Sequence, residues 1–286
     1  MTDLASLRGA AIAQLTTAGV TSPEADAELL IGHVLGMSRG EVQARAITGL
    51  ELTPEQRDAI TAMLDRRAGR EPLQHITGVA FFRSLELAVG PGVFVPRPET
   101  EQVAQFAIDA LRAVPAEMPI AVDLGSGSGA IAFAMATEVP NAAVYAVEVS
   151  ADAFAWTTRN RELTGATNAT LVLGDLADAL LELDGTVDVV ISNPPYIPAD
   201  AIPRDLEVQL HDPATALYGG VDGLDVVRQV SQTGLRLLHP GGTLVVEHGE
   251  LQGQSIADLL RADGWVAVAT HRDLLGRDRA TTALRH

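Results

Sequence analysis

Two short segments hold residues whose types and spacing could do chemistry. The first is Asn193-Pro194-Pro195-Tyr196, which directly follows the apolar run Val187-Asp188-Val189-Val190-Ile191. Adjacent prolines after a strand fix an extended backbone and remove two N–H donors, so nearby carbonyl oxygens are left without local partners. The loop is a rigid acceptor surface. An amide or exocyclic amino nitrogen is a poor nucleophile because its lone pair is delocalised, so it needs orientation more than a strong base. The Asn193 side-chain oxygen and the Pro194 carbonyl can accept its two N–H groups and aim it in line at a methyl donor. Tyr196 can lie against the planar group and exclude water. A plain Pro-Pro turn with an Asn cap is the competing reading. The full tetrapeptide at a strand end, downstream of a glycine loop, weighs against it. No cluster with metal-ligand spacing is evident, and no metal is expected.

The second segment is Asp123-Leu124-Gly125-Ser126-Gly127-Ser128-Gly129, between an apolar run and a helical pattern from Ala130 to Ala136. Glycines here let the backbone turn sharply and approach a ligand that a Cβ would exclude. Two cofactor classes compete for this loop. Gly125-x-Gly127-x-x-Ala130 also satisfies the dinucleotide fingerprint, and Glu148 lies 19 residues past Gly129, near the ~20 expected of a ribose-binding acid. Asp123 tilts the balance. A carboxylate beside the loop would repel a pyrophosphate at the helix N-terminus, yet suits a sulfonium cofactor bearing an ammonium group. S-adenosylmethionine is therefore expected, with Gly125, Ser126, Gly127, Ser128, Gly129, Glu148, Asp175 and Asn193 as candidate cofactor contacts. Glu148 closes the second strand, where it can accept hydrogen bonds from ribose hydroxyls. Asp175, within Leu173-Gly174-Asp175-Leu176, is placed to meet an adenine amino group while Leu176 packs on the ring.

The elements that must position these residues are legible as alternation. From Ile120 onward, strand-like runs recur at Ile120–Leu124, Val144–Glu148, Leu171–Leu173, Val187–Ile191 and Thr243–Glu247, with a final pair near Trp265–Ala269 and Ala280–Leu284. Helical stretches between them argue for an α/β domain with a parallel sheet covered on both faces. The first ~70 residues read instead as a helical bundle. Thr21 with Glu24, Ser38 with Glu41 and Thr53 with Gln56 have capping-box spacing, and Leu4, Leu7, Ile12, Leu15, then Leu29, Leu30, Val34, Leu35, are spaced to line one face. Between the two regions, Ile76 to Val89 shifts towards strand and suggests a β-hairpin. The expected layout is a helical domain over 1–73, a hairpin linker over 74–98 and a Rossmann-like methyltransferase domain over 99–286.

Composition removes several function classes. The 286 residues contain no cysteine and no lysine, all 20 basic residues being arginine. Disulfides, thiolate metal sites, Schiff-base chemistry and P-loop phosphate binding are excluded together. A net charge of −17 opposes sequence-independent binding to a phosphate backbone. The excess is shared: residues 1–73 hold 7 Arg against 10 acids, or −3, which leaves −14 for the remainder. Neither part resembles a nucleic-acid clamp. This disfavours a nucleic-acid amino methyltransferase using the same tetrapeptide, and the intact acceptor loop disfavours a silent scaffold. No direct nucleic-acid partner and no membrane association are expected. Without a long apolar run or a signal-like N-terminus, the expected location is the cytoplasm.

The sequence resembles the bacterial release-factor glutamine methyltransferases, the HemK-like family. The resemblance runs along nearly the whole chain, through Glu71-Pro72-Leu73-Gln74-His75-Ile76-Thr77-Gly78, Phe94-Val95-Pro96-Arg97-Pro98-Glu99-Thr100-Glu101, the glycine loop, the Asn-Pro-Pro-Tyr loop and Glu247-His248-Gly249. Asn-Pro-Pro-Tyr alone is shared with adenine and guanine amino methyltransferases. The Pro-Arg-Pro-Glu-Thr-Glu segment with its helical preface is far more specific. The resemblance implies methylation of the glutamine side-chain amide in the Gly-Gly-Gln motif of class I peptide chain release factors. It carries Gly125 to Gly129, Glu148, Asp175 and Asn193 over as cofactor contacts, and Asn193, Pro194, Pro195 and Tyr196 as the catalytic loop that takes the glutamine. Leu176 departs from relatives with an aromatic at that position, which implies weaker stacking on adenine. Phe94 as a pocket wall and Arg97 as a partner of the cofactor carboxylate compete evenly with a core phenylalanine and a structural ion pair.

Overall fold

The computed structural model describes residues 3–286. These divide into two compact units: residues through Val79 together with Pro203–His211, and Ala80–Ile202 with Asp212–His286.

The first unit is helical, with α1 (Leu4–Thr17), α2 (Pro23–Leu35), α3 (Arg39–Thr48), α4 (Pro54–Ala68) and α5 (Leu73–Thr77), joined by α9 (Leu206–His211). Ser38 and Thr53 form complete capping boxes with Glu41 and Gln56. The box expected at Thr21 does not form. Pro23 occupies the first turn, so Ser22 becomes the N-cap, and Glu24 pairs with Arg8 instead. The core contains Leu4, Leu7, Leu15, Leu30, Ile31, Val42, Ile60 and Leu64, with Ile12, Val34 and Leu35 partly buried against it. Leu29 was expected on that face but is 41% exposed. The buried stripe of α2 runs Ala27-Leu30-Ile31, and one helical position is a turn of about 100°.

Charge is buried in this unit too. The fully buried Glu28 carboxylate receives Arg8, Arg39 and Gln43. Glu207 of α9 takes Arg67 at 2.8 Å and Arg70 at 2.6 Å, and Arg67 also reaches Asp26 at 2.7 Å. The chain that leaves the second unit after Ile202 is thereby tied into the helical unit before it returns at Asp212.

The hairpin of β1 (Val79–Phe82) and β2 (Leu85–Ala88) starts on the last residue of the first unit's opening segment and leads into the second unit. Ile76, expected at the start of this strand region, lies in α5. The chain continues as α6 (Pro98–Ala113), β3 (Ile120–Leu124), α7 (Ala130–Glu138), β4 (Ala143–Glu148), α8 (Ala151–Thr164), β5 (Ala169–Leu173), β6 (Val187–Ser192), α10 (Ala214–Leu217), α11 (Asp225–Leu237), β7 (Leu238–Glu247), α12 (Gly253–Ala262), β8 (Val266–Arg272) and β9 (Asp278–Leu284). The seven strands of the main sheet lie in the order β5-β4-β3-β6-β7-β9-β8. The first five are parallel, and β9 inserts antiparallel between β7 and β8.

Alternate residues of the central strands feed two cores. Ala121, Val189, Ile191 and Val245 pack with α6 and α7, whereas Val122, Leu124, Val190, Leu244 and Val246 pack with α11 and α12. Burial on both faces explains why the strands read as continuous apolar runs. Strand order reverses between β3 and β6, and the crevice beyond the carboxyl ends of these strands is where open α/β sheets receive ligands.

Candidate active site

Every candidate site residue leaves the carboxyl end of a parallel strand: Gly125–Gly129 after β3, Glu148 at the end of β4, Asp175 beyond β5, Asn193–Tyr196 after β6. Parallel register sets them side by side, with Leu124 opposite Val147 and Ser192 opposite Val246.

The glycine loop is held by its own backbone and by three side chains. Gly125 and Ser126 both donate N–H to the Val147 carbonyl at 2.9 Å. Glu148 accepts the Gly127 N–H at 2.8 Å through Oε2 and the Ser150 N–H at 2.8 Å through Oε1. From α8, the Thr157 hydroxyl donates to the Gly127 carbonyl at 2.6 Å, and the Asn160 amide donates to Ser128 and Ala88 carbonyls, both at 2.9 Å. Neither α8 residue had a sequence signal, since both read as ordinary helix interior. At Gly129, with φ at +83°, a Cβ would lie 2.1 Å from the Phe133 ring, so only glycine allows α7 to start there.

The loop fits a cationic small-molecule cofactor. Ideal Cβ positions at Gly125 and Gly127 point into open space, which is a cradle that side chains would fill. Asp123 is buried; its Oδ2 accepts the Ala132 N–H at 3.1 Å while, among the described residues, Oδ1 has no hydrogen-bond partner. Burial pushes this carboxyl up to about 7, with nearby Glu148 adding to the effect and the Ala132 N–H opposing it. A ligand ammonium would satisfy that orphan oxygen. The Ser126 hydroxyl is likewise buried without a partner among the described residues. Glu148 retains a second lone pair on each oxygen for ribose hydroxyls. Asp175 is exposed, with Oδ1 accepting the Ala177 N–H at 2.9 Å, and Leu176 is partly buried against the α11–α12 core.

The tetrapeptide loop is braced from behind. Tyr196 O accepts the Gln252 side-chain amide at 2.9 Å, and that side chain also accepts the Gly249 N–H at 3.0 Å. Ile197 bridges to Tyr218, and a Cβ at Gly223, where φ is +76°, would meet Tyr196 O at 2.3 Å. Pro194 and Pro195 carry no backbone N–H, so this stretch of the loop offers acceptors only. Tyr196 is half-buried; burial, followed by the neighbouring Glu247 charge, pushes its phenol up to about 12, so it stays protonated. Gln252 and Gly223 escaped sequence reasoning because their purpose is visible only against a loop distant in sequence. Arg97 forms an ion pair with Asp212 at 2.8 Å and lies 4.8 Å over the Phe94 ring.

Fold and site together define a class I S-adenosylmethionine-dependent methyltransferase. A solved structure titled as the T. thermophilus 16S rRNA N2 G1207 methyltransferase in complex with AdoMet and guanosine shares this fold, at a TM-score of 0.54 and 20% identity over 73% of this chain and 50% of that one. Residues 6–78 match the PrmC N-terminal domain, and residues 85–217 match the methyltransferase small domain. The release factor glutamine methyltransferase of Streptomyces coelicolor is 48% identical over 94% of each chain. That of Bifidobacterium longum is 46% identical over 94% of this chain and 95% of its own. A 4-amino-L-phenylalanine/4-methylamino-L-phenylalanine methyltransferase of Streptomyces pristinaespiralis is 39% identical, over 99% of this chain and 95% of its own. The chain belongs to the release factor glutamine methyltransferase family. Among the described residues, no helix is long and apolar enough to cross a membrane.

Proposed function

We propose that this enzyme methylates the side-chain amide nitrogen of the glutamine in the Gly-Gly-Gln motif of class I peptide chain release factors, in the cytoplasm and without direct nucleic-acid contact. The observation that carries the reading is the placement of Asn193 and the Pro194 carbonyl beyond β6, next to the glycine loop beyond the neighbouring strand β3. When bound, S-adenosylmethionine supplies an electrophilic methyl group on a sulfonium centre. Gly125, Ser126, Gly127, Ser128, Gly129, Glu148, Asp175 and Asn193 hold that cofactor. Asn193 Oδ1 and Pro194 O accept the two N–H groups of the substrate amide and so fix the direction of its nitrogen. Pro195 keeps the loop extended, and Tyr196 covers the planar group and excludes water. Residues 1–73 recognise the release factor, 74–98 form the linker and 99–286 carry the chemistry.

Family membership and the aim of the acceptors support the reading over a nucleic-acid substrate. The test is mass spectrometry of a release factor incubated with the protein and S-adenosylmethionine, with RNA and 4-amino-L-phenylalanine offered in parallel. One added methyl on the Gly-Gly-Gln glutamine is expected. Methylation of RNA or of the free amino acid, with the release factor untouched, would overturn the proposal.

A further inference from the structure

Two sequence motifs have no part in the scheme above, Pro96–Glu101 and Glu247-His248-Gly249, and they converge on Asn193. Asn193 and Glu247 are lateral neighbours, because Ser192 of β6 pairs with Val246 of β7 in parallel register. Thr100, in the first turn of α6, is 4% exposed, and its Oγ1 accepts a long hydrogen bond from Asn193 Nδ2 at 3.4 Å. The Glu247 carboxyl is buried and, among the described residues, its Oε2 has no hydrogen-bond partner; the Thr100 and Asn193 side chains lie near enough to draw the carboxyl down against the effect of burial.

The polarity of this cluster follows from the donor inventory. An ionised carboxylate only accepts, and a hydroxyl has a single hydrogen. Thr100 Oγ1 accepts from Asn193 Nδ2, which leaves its own hydrogen free for the Glu247 carboxylate, and an ionised Glu247 beside Asn193 favours the NH₂ group over the amide oxygen. Both partners therefore draw the amide nitrogen towards α6 and β7, which leaves Oδ1 turned away from them. We infer that Thr100 and Glu247 are positioning residues that fix the orientation of the Asn193 amide, so that its oxygen and not its nitrogen meets the substrate N–H. The inference rests on the acceptor assignment of Asn193 proposed above. Without the pair, the two orientations of a primary amide differ little, and the flipped one sets a donor against a donor.

The orientation depends on the charge of Glu247. Burial pushes this carboxyl up to about 7, with Thr100, Arg279 of β9 and Asn193 drawing it down and Glu99 of α6 raising it; Tyr196 also lies within its field. Protonated Glu247 becomes a donor and ceases to select the NH₂ group. Methyl transfer should therefore rise with pH through about 7.

The experiment is single-turnover methylation of a release factor across this pH range, at S-adenosylmethionine concentrations that saturate each protein at every pH so that the titration of Asp123 does not enter, by the wild type and by Thr100→Val, Thr100→Ser, Glu247→Gln, Asn193→Ala and the Thr100→Val/Asn193→Ala pair. Calorimetric affinities for S-adenosylmethionine and release factor are measured on the same proteins. Thr100→Val should slow transfer about tenfold or more with both affinities within about twofold, and Thr100→Ser should recover most of the loss. Glu247→Gln should flatten the rise near pH 7. The double variant should be no slower than Asn193→Ala alone, since Thr100 acts through Asn193. Wild-type rates in Thr100→Val, multiplicative losses in the double variant, a loss confined to binding, or an unaltered pH rise in Glu247→Gln would overturn the inference. If Asn193→Ala is slow while Thr100→Val is normal, the acceptor reading stands and only the positioning fails. A wild-type rate in Asn193→Ala removes both.

Discussion

The Glu148 carboxylate accepts the N–H of Gly127 at 2.8 Å, so the acid at the end of β4 holds the glycine loop that follows β3. Its other oxygen accepts from Ser150 at 2.8 Å, at the N-cap of α8. One side chain thus fixes both the floor and the flank of the cofactor crevice.

That double duty makes Glu148→Ala costly for cofactor binding. The substitution removes the loop anchor and the acceptors proposed for ribose, each charge-assisted bond contributing roughly 1.5–3 kcal/mol. Affinity for S-adenosylmethionine should fall about tenfold or more, while Glu148→Gln, which keeps one acceptor oxygen, should lose less. Calorimetry is the check; equal affinity in Glu148→Ala would remove it from the site.

Asp123 links cofactor binding to pH. Its carboxyl, pushed up to about 7 mainly by burial, keeps a proton in the folded state that the unfolded chain releases near 3.8. The stability it contributes is full below about 3.8 and is lost as pH rises through about 7. Asp123→Asn escapes that loss, so without cofactor it should gain on the wild type between pH 4 and 8, by on the order of a few kcal/mol. The same change should weaken S-adenosylmethionine binding and remove its increase with pH. Urea unfolding at several pH values, with and without cofactor, tests both; a pH-independent difference between the two proteins would contradict the burial argument.

Asn193 should matter for transfer more than for docking. Asn193→Ala removes the proposed acceptor and admits water, and misaiming a weak nucleophile costs on the order of 10²-fold in rate. Release-factor affinity, set by a larger surface, should change little. Single-turnover rates and a binding titration on the same variant separate the two, and equal losses in both would end the aiming role.

In the helical unit, Glu28 is the charge on which Arg8, Arg39 and Gln43 converge. Desolvation alone would raise its carboxyl, but these donors together hold it below the ordinary 4.5. A depressed carboxylate contributes stability that is present above the unfolded value and lost as pH falls through the folded one. Arg8 keeps Glu24, and Arg8 and Arg39 are 25% and 45% exposed, so Glu28→Ala should cost roughly 1.5–3 kcal/mol, the scale of lost hydrogen bonds to a charged group, and not that of an isolated buried charge. Thermal unfolding of the variant at pH 7 and pH 4 should show the deficit shrinking at the lower pH; a loss below about 1 kcal/mol at pH 7 would mean that the arginines find other partners.

What the sequence by itself determined is the set of local features. The runs Ile120–Leu124 and Val187–Ile191 became β3 and β6 because unbroken apolar β-branched residues suit a strand buried on both faces. The Ser38 and Thr53 boxes formed because capping needs only residues three apart, and the glycine and Asn-Pro-Pro-Tyr loops announced themselves through residue types with few other uses. Local rules failed where a neighbour intervened: Pro23 and Arg8 displaced the box at Thr21, and Leu29 turned outward although its spacing suited the apolar face. Only the tertiary structure decided that Thr157 and Asn160 would grip the glycine loop, that Gln252 would brace Tyr196, and that Pro203–His211 would join helices more than 120 residues earlier through Glu207. The same is true of the meeting of Thr100, Asn193 and Glu247. Their separations, 93 residues between the first two, leave no periodic trace, because the order of strands in a sheet and the register between them bring such residues together, and neither is written in any one segment.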